Sequence, residues 1–260
     1  MKAALLQLTS GTDPAENFAA VAAMVRDTDA AFVLSPEMTP LLQKDADALQ
    51  AAVRPEDETI APYRDLARDR DIHFLLGSAA IRREDGRIAN RSVLIDPDGA
   101  VIARYDKIHL FEAALPGGES YRESDAYAPG DAPVTTSVGG LKLGLSICYD
   151  VRFPSLYIGY ALDGVDMIAV PSAFTRATGK AHWETLLRAR AIESGAWVLA
   201  PAQAGSHADG RRTWGRTMAV APWGEVAGVL DHDRPGPLKV DIDPKAVGDA
   251  RARIPAWRQR

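Results

Sequence analysis

The sequence predicts an α/β protein in which two sheets pack as a layered sandwich with helices outside, and three observations carry that expectation. Strand-sized apolar runs alternate with segments whose apolar residues recur at helical spacing. Hairpin signals interrupt the alternation, which argues against a purely parallel, doubly wound sheet. No Ser/Gly-rich linker and no internal repeat divides the 260 residues, so 1–260 is read as one domain. At 47% hydrophobic, the chain has enough apolar surface to build its own core.

Ala3 to Leu8 reads as a buried strand. Asp13, Pro14 and Glu16 then supply an N-cap, a first-turn proline and a capping-box glutamate. Phe18, Val21, Ala22 and Val25 form the apolar face of the helix they start. Ala31 to Leu34 is a second strand that runs directly into Ser35-Pro36-Glu37. Ile60, Tyr63, Leu66 and Ala67 mark a second helix, and His73 to Ile81 the strand after it. Asp85-Gly86 and Pro97-Asp98-Gly99 are turn signals beside the strands Arg91 to Ile95 and Val101 to Tyr105. Leu141 to Ile147 is a strand ending on Cys148. Pro154 to Leu162 is a helix stopped at Gly164, and Val165 to Val170 a strand. His182 to Ser194 is a helix closed by Gly195, and Trp197 to Ala202 a strand. Thr217 to Ala221 and Val226 to Leu230 flank Trp223-Gly224 as a hairpin, and Leu238 to Ile242 adds a last strand.

Composition excludes several classes of function. The 35 acidic and 30 basic residues leave a slightly negative chain, with nothing to attract a nucleic acid or an anionic membrane surface. One cysteine excludes an intrachain disulfide framework and a cysteine-rich metal site. The opening MKAALLQLTSGTDP carries a short apolar run and no cleavage pattern, so it does not read as a signal peptide. The best apolar run, Val165 to Val170, is strand-sized and too short to span a membrane. The expectation is a cytoplasmic protein with no cofactor, no metal, no nucleic acid and no membrane partner.

Three strand-end residues carry candidate chemistry. Cys148 lies where a strand meets a polar turn, near the start of a helix whose dipole would lower a thiol pKa toward reactivity. Buried free cysteines are also common core residues, and the neighbourhood alone leaves both readings open. Glu37 sits at the carboxyl end of its strand, where open α/β sheets place ligands, or it is a solvated loop residue. Lys107 follows a strand in RYDKIHLF; apolar neighbours would favour a neutral amine, and a nearby carboxylate would keep it charged for work on an oxyanion. A cysteine phosphatase would need an arginine six positions after its nucleophile, where this chain has Pro154, and Arg152 is only four away. His73, His109, His182, His207 and His232 fall in no recognisable cysteine–histidine partner motif.

These residues occur in blocks that resemble the carbon–nitrogen hydrolase, or nitrilase, superfamily. SPEMT around Glu37, YDKIHLF around Lys107 and SICYDVRFP around Cys148 are followed by PSAFTRATGKAHWE, LLRARAIE and WGRTMAVAPWGEV, all in the family's order and over essentially the whole chain. Tyr149-Asp150 after the cysteine resembles the Nit amidase branch, where true nitrilases usually carry Trp-Glu. YRES with APGD after it is similar to the same branch. The resemblance implies a four-layer α-β-β-α sandwich and a homodimer or higher homo-oligomer. It implies hydrolysis of a small amide by water through a cysteine thioester, on an ω-amide of a keto or dicarboxylic acid or on deaminated glutathione.

By the same resemblance Cys148 is the nucleophile, Glu37 the general base, and Lys107 with the Tyr149 N–H the oxyanion donors. Glu123 is the second glutamate of the site, with Glu119 as the alternative. Tyr149, Arg152, Phe174, Arg176 and His182 fall in blocks expected to bind substrate; a substrate carboxylate would be clamped by Arg176, with Arg152 and Lys180 as alternatives, and Arg188 and Arg190 read as structural. Lys180 stands where related sequences have proline, and Arg176 is a second variable position, so the substrate stays open. A nitrilase or an N-carbamoyl hydrolase could use the same residues. A non-catalytic scaffold need not retain all four.

Overall fold

Period-two patterning of the N-terminal strands sets the layers. The protein was analysed as a computed structural model that describes residues 1–26, 28–114 and 120–258. In β1 (Lys2–Gln7), Ala3 and Leu5 face a core shared with a second sheet, whereas Ala4 and Leu6 face the helices. A strand buried on both sides must lie between two other layers. Val21 and Val25 of α1 (Pro14–Arg26) fill the helix side, and Asp13 caps α1 by accepting from the Ala15 and Glu16 N–H groups at 2.8 and 3.2 Å. In β2 (Phe32–Leu34), Phe32 and Leu34 point between the sheets and Val33 toward the helices.

Two helices follow, α2 (Ala46–Ala52) and α3 (Glu56–Arg70), and α3 packs Ile60, Tyr63 and Ala67 onto the same outer core. The strands β3 (His73–Arg82), β4 (Ile88–Ile95) and β5 (Val101–Asp106) complete the first sheet with the same split, Leu75 and Leu94 inward, Phe74, Val93 and Ile95 outward.

A short hairpin, β6 (Glu112–Ala114) and β7 (Ser120–Arg122), precedes the second sheet. That sheet begins with β8 (Val134–Val138) and β9 (Leu141–Leu145), then α4 (Pro154–Leu162), β10 (Met167–Ala169), α5 (Arg176–Ser194) and β11 (Trp197–Ala200). The small hairpin β12 (Ala204–Ser206) and β13 (Arg212–Trp214) precedes β14 (Met218–Val220), β15 (Val226–Val229), β16 (Gly236–Asp241) and α6 (Pro244–Arg253). The sheet orders are β16-β1-β2-β3-β4-β5 and β15-β14-β11-β10-β9-β8. Helices α4 and α5 cover the second sheet with Tyr157, Tyr160, Trp183, Leu187 and Ala191. The result is the expected α-β-β-α layering.

Several bounds differ from the sequence expectation for identifiable reasons. Helix α5 begins at Arg176, six residues before His182, because Thr175 caps it by accepting from the Thr178 N–H at 3.3 Å. Helix α2 has a similar signal, Asp45 accepting from Ala48 N–H at 2.8 Å. Its short apolar face had hidden it. No helix among the described residues is long and apolar enough to cross a membrane.

One close backbone approach positions the loop after β2. The β3–β4 register shifts between Leu76 and Ala79, and at this kink the Ser35–Glu37 segment lies directly on Gly77. A Cβ on Gly77 would stand 1.9 Å from the Ser35 carbonyl oxygen and 2.5 Å from that of Pro36. Ser35 Oγ accepts from the Gly77 N–H at 3.1 Å, and Ser78 Oγ from the Met38 N–H at 2.9 Å. Gly77→Ala is therefore expected to cost about 3 kcal/mol of stability and to displace the Glu37 loop. Urea denaturation checks it, and a midpoint equal to wild type would contradict the contact.

Candidate active site

Both sheets deliver polar side chains to one end of the sandwich. Glu37 comes from the loop after β2, Lys107 from the end of β5, Glu123 from the turn after β7, and Cys148 from the turn after β9. Glu37, Lys107 and Cys148 are 5%, 2% and 8% exposed. Lys107 Nζ donates to Glu37 Oε1 at 2.9 Å and to Glu123 Oε2 at 2.8 Å. Glu123 Oε2 also accepts from the Phe111 N–H at 2.7 Å. Glu37 Oε2 accepts from the Ala173 N–H at 2.8 Å, and Gln203 Nε2 holds the Glu37 carbonyl at 3.0 Å. Glu119 lies outside the described residues.

Asn90 was missed by the sequence reading. Its Nδ2 donates to Glu37 Oε1 at 2.9 Å and to Glu123 Oε1 at 3.0 Å. A signal was present, since Asn90 shares the inward parity of Leu94 on β4. An amide on a core-facing position needs partners there.

Cys148 is held in an uncommon backbone conformation, φ 49°, at the start of a 3₁₀ turn, Cys148–Arg152. Its N–H donates to the Pro171 carbonyl at 2.9 Å. Asp150, fully buried, ties this turn to the lysine loop. Its carboxylate accepts from the Ile147 N–H at 2.8 Å, the Tyr105 hydroxyl at 2.7 Å and the His109 N–H at 3.0 Å. His109 Nδ1 lies 2.7 Å from the same carboxylate, and its ring stacks on Phe153 with centroids 3.6 Å apart. Arg190 Nε donates to the Val151 carbonyl at 2.8 Å, the structural role expected of it.

Four of the five residues assigned to substrate binding come together beside the cysteine turn. The Arg152 guanidinium lies 5.7 Å from the Tyr149 ring centre and 5.4 Å from that of Phe174, with both terminal nitrogens 3.4 Å from His182 Nδ1. Arg176 is placed differently: its Nη1 stands 3.4 Å from Asp233 Oδ2, and the exposed Lys180 follows on the same helix. No cluster of three or more His, Cys, Asp or Glu side chains among the described residues is arranged to hold a metal.

The carbon–nitrogen hydrolase family model matches residues 2–252. The chain belongs to that family. It is an amidohydrolase. Among its relatives, a deaminated glutathione amidase of Yersinia enterocolitica is 38% identical over 97% of this chain and 90% of its own length. The deaminated glutathione amidase of Homo sapiens is 36% identical over 99% of this chain and 81% of its own. The C. elegans NitFhit structure superposes with a TM-score of 0.93 at 35% identity, covering all of this chain and 64% of that one. An amidase from Nesterenkonia sp. AN1 superposes with a TM-score of 0.79 at 29% identity over 98% of both chains. That structure shows acrylamide added to its active-site cysteine.

In this hydrolase the electrostatics decide which groups are charged. Burial alone would push the Lys107 ammonium toward neutrality, but the Glu123 and Glu37 carboxylates override it and hold its pKa well above the ordinary lysine value. The open choice for Lys107 thus resolves to the charged form. Cys148 behaves oppositely to the helix-dipole expectation. Burial and then the Glu37 charge, which also accepts its hydrogen bond, push the thiol well up, against weaker opposition from Lys107 and the Ala173 N–H. The resting sulfur is a protonated thiol beside a carboxylate.

This proton links stability to pH. A native thiol pKa above the unfolded value means that the native state keeps its proton while the unfolded chain loses it above about pH 8.5. Stability is then complete below that pH and falls above it, by up to about 1.4 kcal/mol per pH unit from this group. Wild type compared with Cys148→Ser in urea between pH 8 and 10 measures the difference. Thiolate absorbance near 240 nm is expected in the unfolded enzyme at pH 9 and not in the native one. A native thiolate signal at neutral pH would contradict this assignment.

Proposed function

We propose that residues 1–260 form one hydrolase domain that cleaves a small acidic amide to a carboxylic acid and ammonia through a thioester on Cys148. The shared Lys107 between Glu37 and Glu123, next to the lone cysteine, carries this reading. Glu37 takes the Cys148 proton as the sulfur attacks the amide carbon, and the carbonyl π-electrons move to oxygen. The Lys107 ammonium and the Tyr149 N–H stabilise that oxyanion; losing one such donor typically costs about 3 kcal/mol of transition-state stabilisation. The carbon–nitrogen bond then breaks, and the nitrogen leaves as ammonia with the proton from Glu37. Water attacks the thioester while Glu37 takes its proton. Collapse breaks the carbon–sulfur bond, and the proton returns to sulfur. Glu123 orients Lys107 throughout.

Arg152 supplies the recognition of an acidic substrate. It lies in the same turn as Cys148, and it stacks between Tyr149 and Phe174 with no carboxylate partner among its described contacts. Its fork suits two-point binding of a substrate carboxylate, whereas Arg176 faces Asp233. Amidase relatives named for deaminated glutathione, which carries free carboxylates, support this class, and an ω-amide of a dicarboxylic acid has the same chemistry.

Further support favours a homodimer in the cytoplasm. Ile192 and Trp223 are 56% and 45% exposed, and Gly224 next to Trp223 packs on the Ile192 side chain near the end of α5, an apolar patch suited to a second copy. An unpaired catalytic thiol suits a reducing compartment. Light scattering at the mass of a monomer would remove the dimer.

Cys148→Ala is expected to fold normally and to lose amide hydrolysis, and enzyme quenched during turnover should carry an acyl adduct on Cys148 by mass spectrometry. An active alanine variant would sink the mechanism. Arg152→Ala should raise KM for an ω-amide acid at least tenfold while changing a neutral amide little, the tenfold being about 1.4 kcal/mol. Arg176→Ala should leave the two substrates in their wild-type ratio. Equal effects of Arg152→Ala on both substrates would reject Arg152 as the carboxylate clamp.

A further inference from the structure

We propose that Asn90 is a positioning residue that commits the proton-accepting role to one oxygen of Glu37, Oε2. The inference rests on the reading of Glu37 as general base and goes beyond it by assigning the atom and the residue that selects it. Each carboxylate oxygen offers about two lone-pair sites. Glu37 Oε1 receives two donors, Lys107 Nζ and Asn90 Nδ2, both at 2.9 Å. Oε2 receives the Ala173 N–H at 2.8 Å and has room for a second donor. Ala173 lies two residues after Pro171, whose carbonyl holds the Cys148 N–H, so Oε2 is the oxygen tied to the segment that braces the nucleophile turn.

The orientation of the Asn90 amide is settled by its surroundings. Its nitrogen faces two carboxylates, Glu37 at 2.9 Å and Glu123 at 3.0 Å. The flipped amide would aim its carbonyl oxygen at two acceptors and lose both bonds. In the favoured orientation Asn90 Oδ1 is buried with no hydrogen-bond partner among the described residues. An orphaned buried acceptor is destabilising, and a fold that tolerates one at this position is holding the two N–H groups where they are.

Charge explains why the residue is an amide. Glu37 and Glu123 carry two negative charges against one from Lys107, so one surplus negative charge remains beside a neutral thiol. A second cation at residue 90 would cancel that surplus and weaken the base. A third carboxylate would repel the other two. Asparagine gives the donors without the charge. Its own carbonyl also accepts from the Lys107 N–H at 2.9 Å, a main-chain bond that any substitution preserves.

The test compares wild type with Asn90→Leu, of similar volume, and Asn90→Ser, which retains a donor. The readouts are kcat, KM and the pH dependence of kcat/KM on one amide. The ionisable groups that surround the site are Glu37, Glu123, Lys107, Cys148 and Tyr127. Asn90→Leu should lower kcat about 100-fold, with KM within about threefold of wild type. It should also move the acidic limb of kcat/KM to higher pH, because a carboxylate that loses a donor binds its proton more tightly. Asn90→Ser should recover part of both. A folded leucine variant with an unmoved acidic limb overturns the proposal, whether or not kcat has fallen. The acyl adduct on Cys148 in wild type is read independently, so failure here and failure of the thioester mechanism are distinguishable. If Asn90→Leu does not fold, nitrogen-15 NMR of wild type decides. Asn90 side-chain protons that exchange slowly with solvent, and that shift in Glu37→Gln, support the assignment. Fast exchange of both rejects it.

Discussion

A lysine ammonium buried between two glutamates holds this site together. Lys107 is as inaccessible as a core leucine, and taking its charge from water is tolerable only because Glu37 and Glu123 both accept from it. Removing one partner of such a buried pair typically costs about 3 to 5 kcal/mol, since the remaining charge is left without compensation. The cluster therefore fixes the relative position of three chain segments far apart in sequence. Two negative charges share one positive charge there, and in the proposed mechanism Glu37 is the carboxylate that takes the thiol proton. Structural support and chemical capacity come from the same contacts.

Around that cluster the backbone is arranged against its own preferences. Cys148 and Met38 both have positive φ, at 49° and 55°, and neither is glycine. Such residues persist only where neighbouring contacts over-determine them. Asp150 does this for the cysteine turn with four contacts to three residues, Ile147, Tyr105 and His109. The close approach at Gly77 and the Ser78–Met38 bond do it for the glutamate loop. The two strained residues flank or constitute the proposed reacting groups, so rigidity is concentrated where the proposed proton transfer needs short, fixed distances.

Much of this was legible in the sequence because local rules agreed with the global fold. The continuous burial of Ala3 to Leu6 and the cap at Asp13 follow from patterns that tertiary packing does not override. Glu37, Lys107 and Cys148 were visible as polar or reactive residues directly after strands, and family blocks linked them with Glu123. Asn90 was not visible, because its importance depends on two side chains 53 and 33 residues away. The thiol's protonation was misjudged for a related reason. The helix dipole is a local feature, whereas burial and the Glu37 charge arise only when the two sheets meet. The sequence pointed to Arg176 ahead of Arg152 as a carboxylate clamp, and the fold reverses that order by placing Arg152 beside Phe174 and Arg176 against Asp233.

The resting site holds a neutral thiol beside an ionised carboxylate and a charged lysine, and the proposed chemistry depends on that distribution of protons. Neutron diffraction from perdeuterated, substrate-free enzyme tests it most directly. The expected result is a deuteron on Cys148 Sγ, three on Lys107 Nζ, and none on the carboxylate oxygens of Glu37 or Glu123. A bare sulfur with a deuteron on Glu37 would contradict it.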